Sequence, residues 1–136
     1  MGNNERIKYA GKTVLLVDDD VDFLEQHKFG LESIGFKVVT GESQKEGAAL
    51  IESEKYDLAL FDLMMENDDS GFILSYKSKK KYPDVPVIIA TSVTNETGMQ
   101  FDAVTDEAKS WVKADIMLDK DLRFEQLERA VNTLLK

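Results

Sequence analysis

Two short apolar runs each end abruptly in acid, and this pairing constrains the chain more than any other feature. Val14-Leu15-Leu16-Val17 runs into Asp18-Asp19-Asp20, and Leu58-Ala59-Leu60-Phe61 runs into Asp62. Continuous β-branched and aliphatic runs of this length suit strands buried on both faces of a parallel sheet. Open α/β sheets place their ligand sites just outside the carboxyl ends of such strands. Acids from two strands would then meet at one sheet edge. Neighbouring carboxylates repel unless a cation sits among them, and a hard divalent ion with oxygen ligands suits such a set.

Strand and helix patterns alternate from end to end, which predicts an α/β doubly wound fold, a (βα)5 unit with a five-stranded parallel sheet. Strand one is expected over residues 13–17. A helix follows with Asp20 as N-cap, Leu24, Leu31 and Ile34 on one face, and Gly35 as its stop. Strand two is expected over residues 37–40. Ser43 and Glu46 read as a capping box opening a second helix packed through Ala48, Ala49 and Ile51. Strand three is placed over residues 56–61, and a polar loop over 66–69 leads to a third helix from Gly71. That helix ends at Lys79-Lys80-Lys81, where cations suit the negative end of the helix dipole. Pro83 and Pro86 bracket a turn before strand four, over residues 87–90. Residues 92–114 are the least regular, with weak periodicity through Phe101, Val104, Ala108 and Trp111. Strand five is short, over residues 116–118. A final helix carries Phe124, Leu127, Val131 and Leu134 at helical spacing.

The 136 residues suit one domain, with 43% hydrophobic residues to build its core. No apolar run approaches the ~18 residues of a membrane span, and the polar N-terminus does not resemble a signal peptide. The absence of cysteine excludes thiol catalysis and cysteine-rich zinc sites. A net charge of −9 argues against nucleic-acid binding by this chain, since that needs clustered Lys and Arg. Cytoplasmic location is the default. The single histidine, His27, falls within a helical pattern and is expected to be a solvated helix residue rather than a catalytic one. Asp18, Asp20 and Asp22 have the spacing of a calcium-loop start. That reading fails where the loop needs glycine (here Phe23) and its bidentate glutamate (here Phe29).

Four elements in order carry a family resemblance: residues 15–20, residues 56–65, the run Pro86-Val87-Ile88-Ile89-Ala90-Thr91-Ser92, and Asp119-Lys120 before the last helix. Together the chain resembles the receiver domain of two-component response regulators, with residues 1–11 as a tail and 12–136 as the receiver. The resemblance implies a flavodoxin-like strand order, 2-1-3-4-5. It also implies that Asp62 is the phosphoacceptor, that Asp18 and Asp19 hold Mg2+ with Asp62 and the backbone carbonyl of Met64, and that Thr91 and Lys120 contact the phosphoryl group. The implied donor is a histidine kinase or phosphotransfer protein. The implied listener is an unknown output partner or a fused output domain. Such a domain is not an enzyme beyond its own phosphorylation and dephosphorylation.

The chain departs from the family pattern in three places. Asp121 follows Lys120 where the family usually has proline, which leaves Lys113 as a second candidate for the lysine's role. Met117 stands where an aromatic residue usually swings inward as the threonine moves. The 28 residues from 92 to 119 that separate Thr91 from Lys120 exceed the family's usual spacing by about two helical turns. From this extra length follow an altered helix between strands four and five and a monomer or atypical dimer, and Trp111, in the same stretch, is expected to pack in the core. Met64 and Val93, both apolar beside the site, imply slow self-dephosphorylation. Two other readings compete: a phosphorylation-independent interaction module on the same fold, and a small metal-dependent phosphatase using Asp18 and Asp20.

Overall fold

The computed structural model describes residues 8–91, 114–120 and 122–135. Five parallel strands form one sheet in the order β2-β1-β3-β4-β5. They are β1 (Thr13–Val17), β2 (Lys37–Gly41), β3 (Leu58–Asp62), β4 (Val87–Thr91) and β5 (Ile116–Asp119). Four helices are described: α1 (Val21–Ser33), α2 (Gln44–Ser53), α3 (Ser70–Lys81) and α4 (Phe124–Leu134).

Strand alternation divides the core in two. Val14, Leu16, Leu58, Leu60, Ile88 and Ala90 face α1 and α4, meeting Leu24, Leu31, Leu127 and Val131. Leu15, Val17, Ala59, Phe61, Val87 and Ile89 face the other way, toward Ile51 of α2 and Leu74 of α3. β3 and β4 are buried at every position, as their unbroken apolar runs demand. Each fully buried aliphatic side chain contributes about 1.5–3 kcal/mol.

The sequence signals at the helix ends act as expected at several points. Asp20 caps α1 by accepting from the backbone N–H of Asp22 and of Phe23. Gly35 follows α1 at φ 112°, a left-handed conformation that costs glycine little, and a Cβ there would lie 2.8 Å from the Ala10 backbone nitrogen. Ser43 accepts from the Glu46 N–H, while the Glu46 carboxylate reaches back to the N–H of Glu42, one residue short of the expected Ser43.

Four expectations are corrected. His27 is fully buried instead of solvated, because it lies one turn beyond Phe23 and one turn before Leu31 on the packed face of α1. Ala49 is exposed, on the outer side of α2 from Ile51. β3 begins at Leu58, because Tyr56 and Asp57 serve other partners. The Tyr56 hydroxyl meets Ser78, and the Asp57 carboxylate accepts from the Thr13 N–H. Helix three opens at Ser70, one residue earlier than expected. Ahead of Lys12, Tyr9 is 3% exposed and stacks on Phe36 at 4.6 Å. The irregular stretch, with Val93, Trp111, Lys113 and the expected altered helix, lies outside the described residues, and so does Asp121. Among the described residues no helix is long and apolar enough to cross a membrane.

Candidate functional site

The ladder register assembles the site. Val17 pairs with Phe61, so the next residues on the two strands, Asp18 and Asp62, arrive side by side at the carboxyl edge. Asp62 pairs with Ala90, and Thr91 follows. Thr91 pairs with Asp119, and Lys120 follows. By the same alternation that sends Leu16 and Leu60 toward α1, Asp18 and Asp62 share one side of the sheet.

Lys120 links the two acids. Its Nζ lies 3.0 Å from Asp18 Oδ1 and 3.1 Å from Asp62 Oδ2. Its backbone N–H donates to the Thr91 carbonyl at 2.8 Å, which anchors the stem of the side chain to β4. Asp18 Oδ1 also accepts from the Asp20 N–H at 2.8 Å. Asp18, Asp62 and Thr91 are buried, whereas Asp19 is exposed beside them. Met64 follows two positions beyond Asp62, with its side chain half exposed. All six residues singled out from the sequence thus sit at one edge of the sheet.

The electrostatics follow from two buried acids sharing one ammonium. Burial, then the charge of Asp18, pushes the Asp62 carboxyl up to about 7, against the pull of Lys120. Burial also raises Asp18, though the Asp20 N–H and Lys120 work against it. Burial alone would lower Lys120, but its hydrogen bond to Asp18, then the charges of Asp18 and Asp62, hold it above the usual lysine value. One cation is too little for this set. Asp18 Oδ2 is buried without a hydrogen-bond partner. Asp62 Oδ2 is within ion-pair range of Lys120 but lacks a directed hydrogen bond.

The residues fit a divalent ion. One oxygen from each of Asp18, Asp19 and Asp62 lies within 4.8 Å of the other two. An octahedral Mg2+ with bonds of ~2.1 Å needs ligand oxygens ~3.0 Å apart when adjacent and ~4.2 Å apart when opposite. The orphaned Asp18 oxygen is the kind of donor such an ion would engage. Asp20 is instead engaged through its Oδ1 in capping α1.

Two contributors were not singled out from the sequence. Glu66, in the loop after β3, accepts from the N–H groups of Gln44 and Lys45 at the start of α2, at 2.7 and 3.2 Å. These bonds hold the Glu66 carboxyl below its ordinary value. No local pattern marks a contact made across 22 residues. Gly71 approaches β3 so closely that a Cβ would lie 2.6 Å from the Asp62 carbonyl oxygen. Its N–H donates to the Leu63 carbonyl at 2.8 Å.

Comparison with known proteins gives the same answer as the geometry. Residues 14–132 match the model of the response regulator receiver domain. The heme response regulator HssR of Staphylococcus haemolyticus is 30% identical over 123 residues, which cover 90% of this chain and 50% of that protein. The transcriptional regulatory protein GlrR of Escherichia coli is 43% identical over 79 residues, 58% of this chain and 18% of that protein. The chain therefore spans half or less of the length of these curated relatives. A CheY-like receiver domain protein from Methanospirillum hungatei superposes with a TM-score of 0.72 at 28% identity, covering 90% of this chain and 93% of that one. The response regulator TrrA of Thermotoga maritima, solved with Mg(2+)-BeF, gives a TM-score of 0.72 at 25% identity over 90% and 98% of the two chains. With nearly the whole sequence matched and the strand order of the fold in place, the chain belongs to the family of two-component response regulator receiver domains.

Proposed function

We propose that this receiver accepts a phosphoryl group on Asp62, from a phosphohistidine of a histidine kinase or phosphotransfer protein, in a Mg2+-dependent reaction. The observation that carries the reading is the buried Asp62 carboxylate, tied through Lys120 to Asp18 and lying one strand from Thr91. An Asp62 oxygen forms the new P–O bond as the P–N bond of the donor breaks, and the imidazole leaves with the electron pair. Lys120 offsets the charge that builds on the transferring group, and the Thr91 hydroxyl donates to a phosphoryl oxygen. Phosphoryl transfer asks a protein mainly for positioning and charge stabilisation, so this small set is sufficient. Asp18, Asp19, Asp62 and the Met64 carbonyl would hold Mg2+, which supplies positive charge between the nucleophile and the anionic donor. The added phosphoryl charge would then favour one of two conformations at a distant face read by an output partner or fused output domain.

Intact mass measured after incubation with Mg2+ and acetyl phosphate tests the reading. A single adduct is expected, absent in Asp62→Ala and absent with chelator. No adduct would favour the phosphorylation-independent interaction module. Repeated turnover of varied phosphoesters would favour a phosphatase, a reading already weakened by the capping duty of Asp20.

A further inference from the structure

The Lys120 ammonium has a third neighbour besides its two acids. Its Nζ lies 5.4 Å from the centroid of the Phe23 ring. This distance is within the range at which a ring's negative face attracts a cation. Phe23 is only 8% exposed, in the first turn of α1, where its N–H is bonded to the Asp20 cap. The ring leans against His27 at 4.3 Å, with the planes 49° apart. His27 is fully buried, and neither of its ring nitrogens has a hydrogen-bond partner. Burial lowers the His27 pKa, so its imidazole packs against the phenyl ring in the neutral form and brings no second cation to it.

Asp18 directs one proton of the ammonium, through a hydrogen bond from Lys120 Nζ to its Oδ1 at 3.0 Å. Lysine carries a flexible stem and a charge that can rotate among acceptors. The contact with Asp62 Oδ2 has the distance of an ion pair but not the direction of a hydrogen bond. We infer that Phe23 is a positioning residue, whose ring holds the Lys120 ammonium between Asp18 and Asp62. The acidic run thereby gains a second duty, since the cap that Asp20 places on α1 also sets the ring that steers the lysine. Phe23 touches no reacting atom and acts only through Lys120.

The effect on phosphorylation rests on the function proposed above, but the positioning itself can be read without it. In the NMR spectrum of the intact chain, the Lys120 side-chain protons, assigned with Lys120→Met, should be shifted upfield by the ring current. The shift should vanish in Phe23→Leu, which keeps an apolar side chain but has no π-face, and should persist in Phe23→Tyr. With acetyl phosphate and Mg2+, Phe23→Leu should form the Asp62 adduct roughly twofold to thirtyfold more slowly, the range expected for one cation–π contact. Phe23→Tyr should stay near the parent rate, and Mg2+ affinity by calorimetry should be unchanged in both. A Lys120 shift that survives in Phe23→Leu would overturn the inference. Equal slowing in both variants, accompanied by equal losses of melting temperature, would also overturn it, by reducing Phe23 to core packing. If the parent forms no adduct, the proposed function fails, and the ring-current comparison still decides the role of Phe23.

Discussion

At the residue scale, the site concentrates opposing demands on Asp62. A reacting carboxylate must be ionised, yet burial and Asp18 hold its carboxyl up near 7. In the unfolded chain it would titrate near 3.8. Between those values the native state keeps a proton that the unfolded state has lost. Stability from this group is therefore complete below pH ~3.8, falls as pH rises toward 7, and levels off above it. In the presence of chelator, Asp62→Asn should be more stable than the parent at pH 7.5, by more than ~1 kcal/mol. The difference should shrink toward pH 4 when urea unfolding is followed at both values. Added Mg2+ should narrow the gap at pH 7.5, because the ion stabilises only the intact acidic set. These acids were legible in the sequence because each follows an apolar run whose end is sharp. Phe23 and His27 were not. His27 reads from the sequence as a solvated helix residue, and nothing local tells a core ring at Phe23 from one that faces an ammonium.

At the scale of elements, the loop after β3 is fixed at both ends. Gly71 seats the start of α3 against the backbone of Asp62, and Glu66 ties the loop to the first turn of α2. Gly71→Ala should therefore do more harm than the usual gain in helix propensity would suggest. Its Cβ would meet the Asp62 carbonyl and the Leu63 Cα, which are backbone atoms that cannot swing aside. The expected outcome is a loss of about 1–3 kcal/mol in denaturant unfolding, with slower adduct formation at Asp62. The caps at Asp20 and Ser43 were readable because capping is a local agreement between residues two to four apart. The bond from Glu66 to α2 was not, because it exists only after β1, β2 and β3 have brought the two loops together.

For the whole molecule, the sheet separates two apolar layers, and the segment before β1 completes one of them. Tyr9 stacks on Phe36, and its hydroxyl is hydrogen-bonded to Asn132 of α4. Tyr9→Ala should cost about 2–4 kcal/mol, measured by urea unfolding, while leaving Mg2+ affinity unchanged, since the ring lies at the amino edge of the sheet. The strand order was foreseeable from the family resemblance together with the alternation of elements. The docking of Tyr9 was not, because a single aromatic residue in a polar stretch has no periodicity to announce it.

The Lys8 and Tyr9 contacts with Asn132 also bring the two ends of the described chain together. Both lie at the amino pole of the sheet, opposite the acids. These contacts lie a strand length of roughly 17 Å away from Asp62. A phosphoryl group on Asp62 would have to act across the breadth of the sheet to alter them. The acidic cluster and the contacts that tie the start of the described chain to its last helix therefore sit at opposite poles of the sheet.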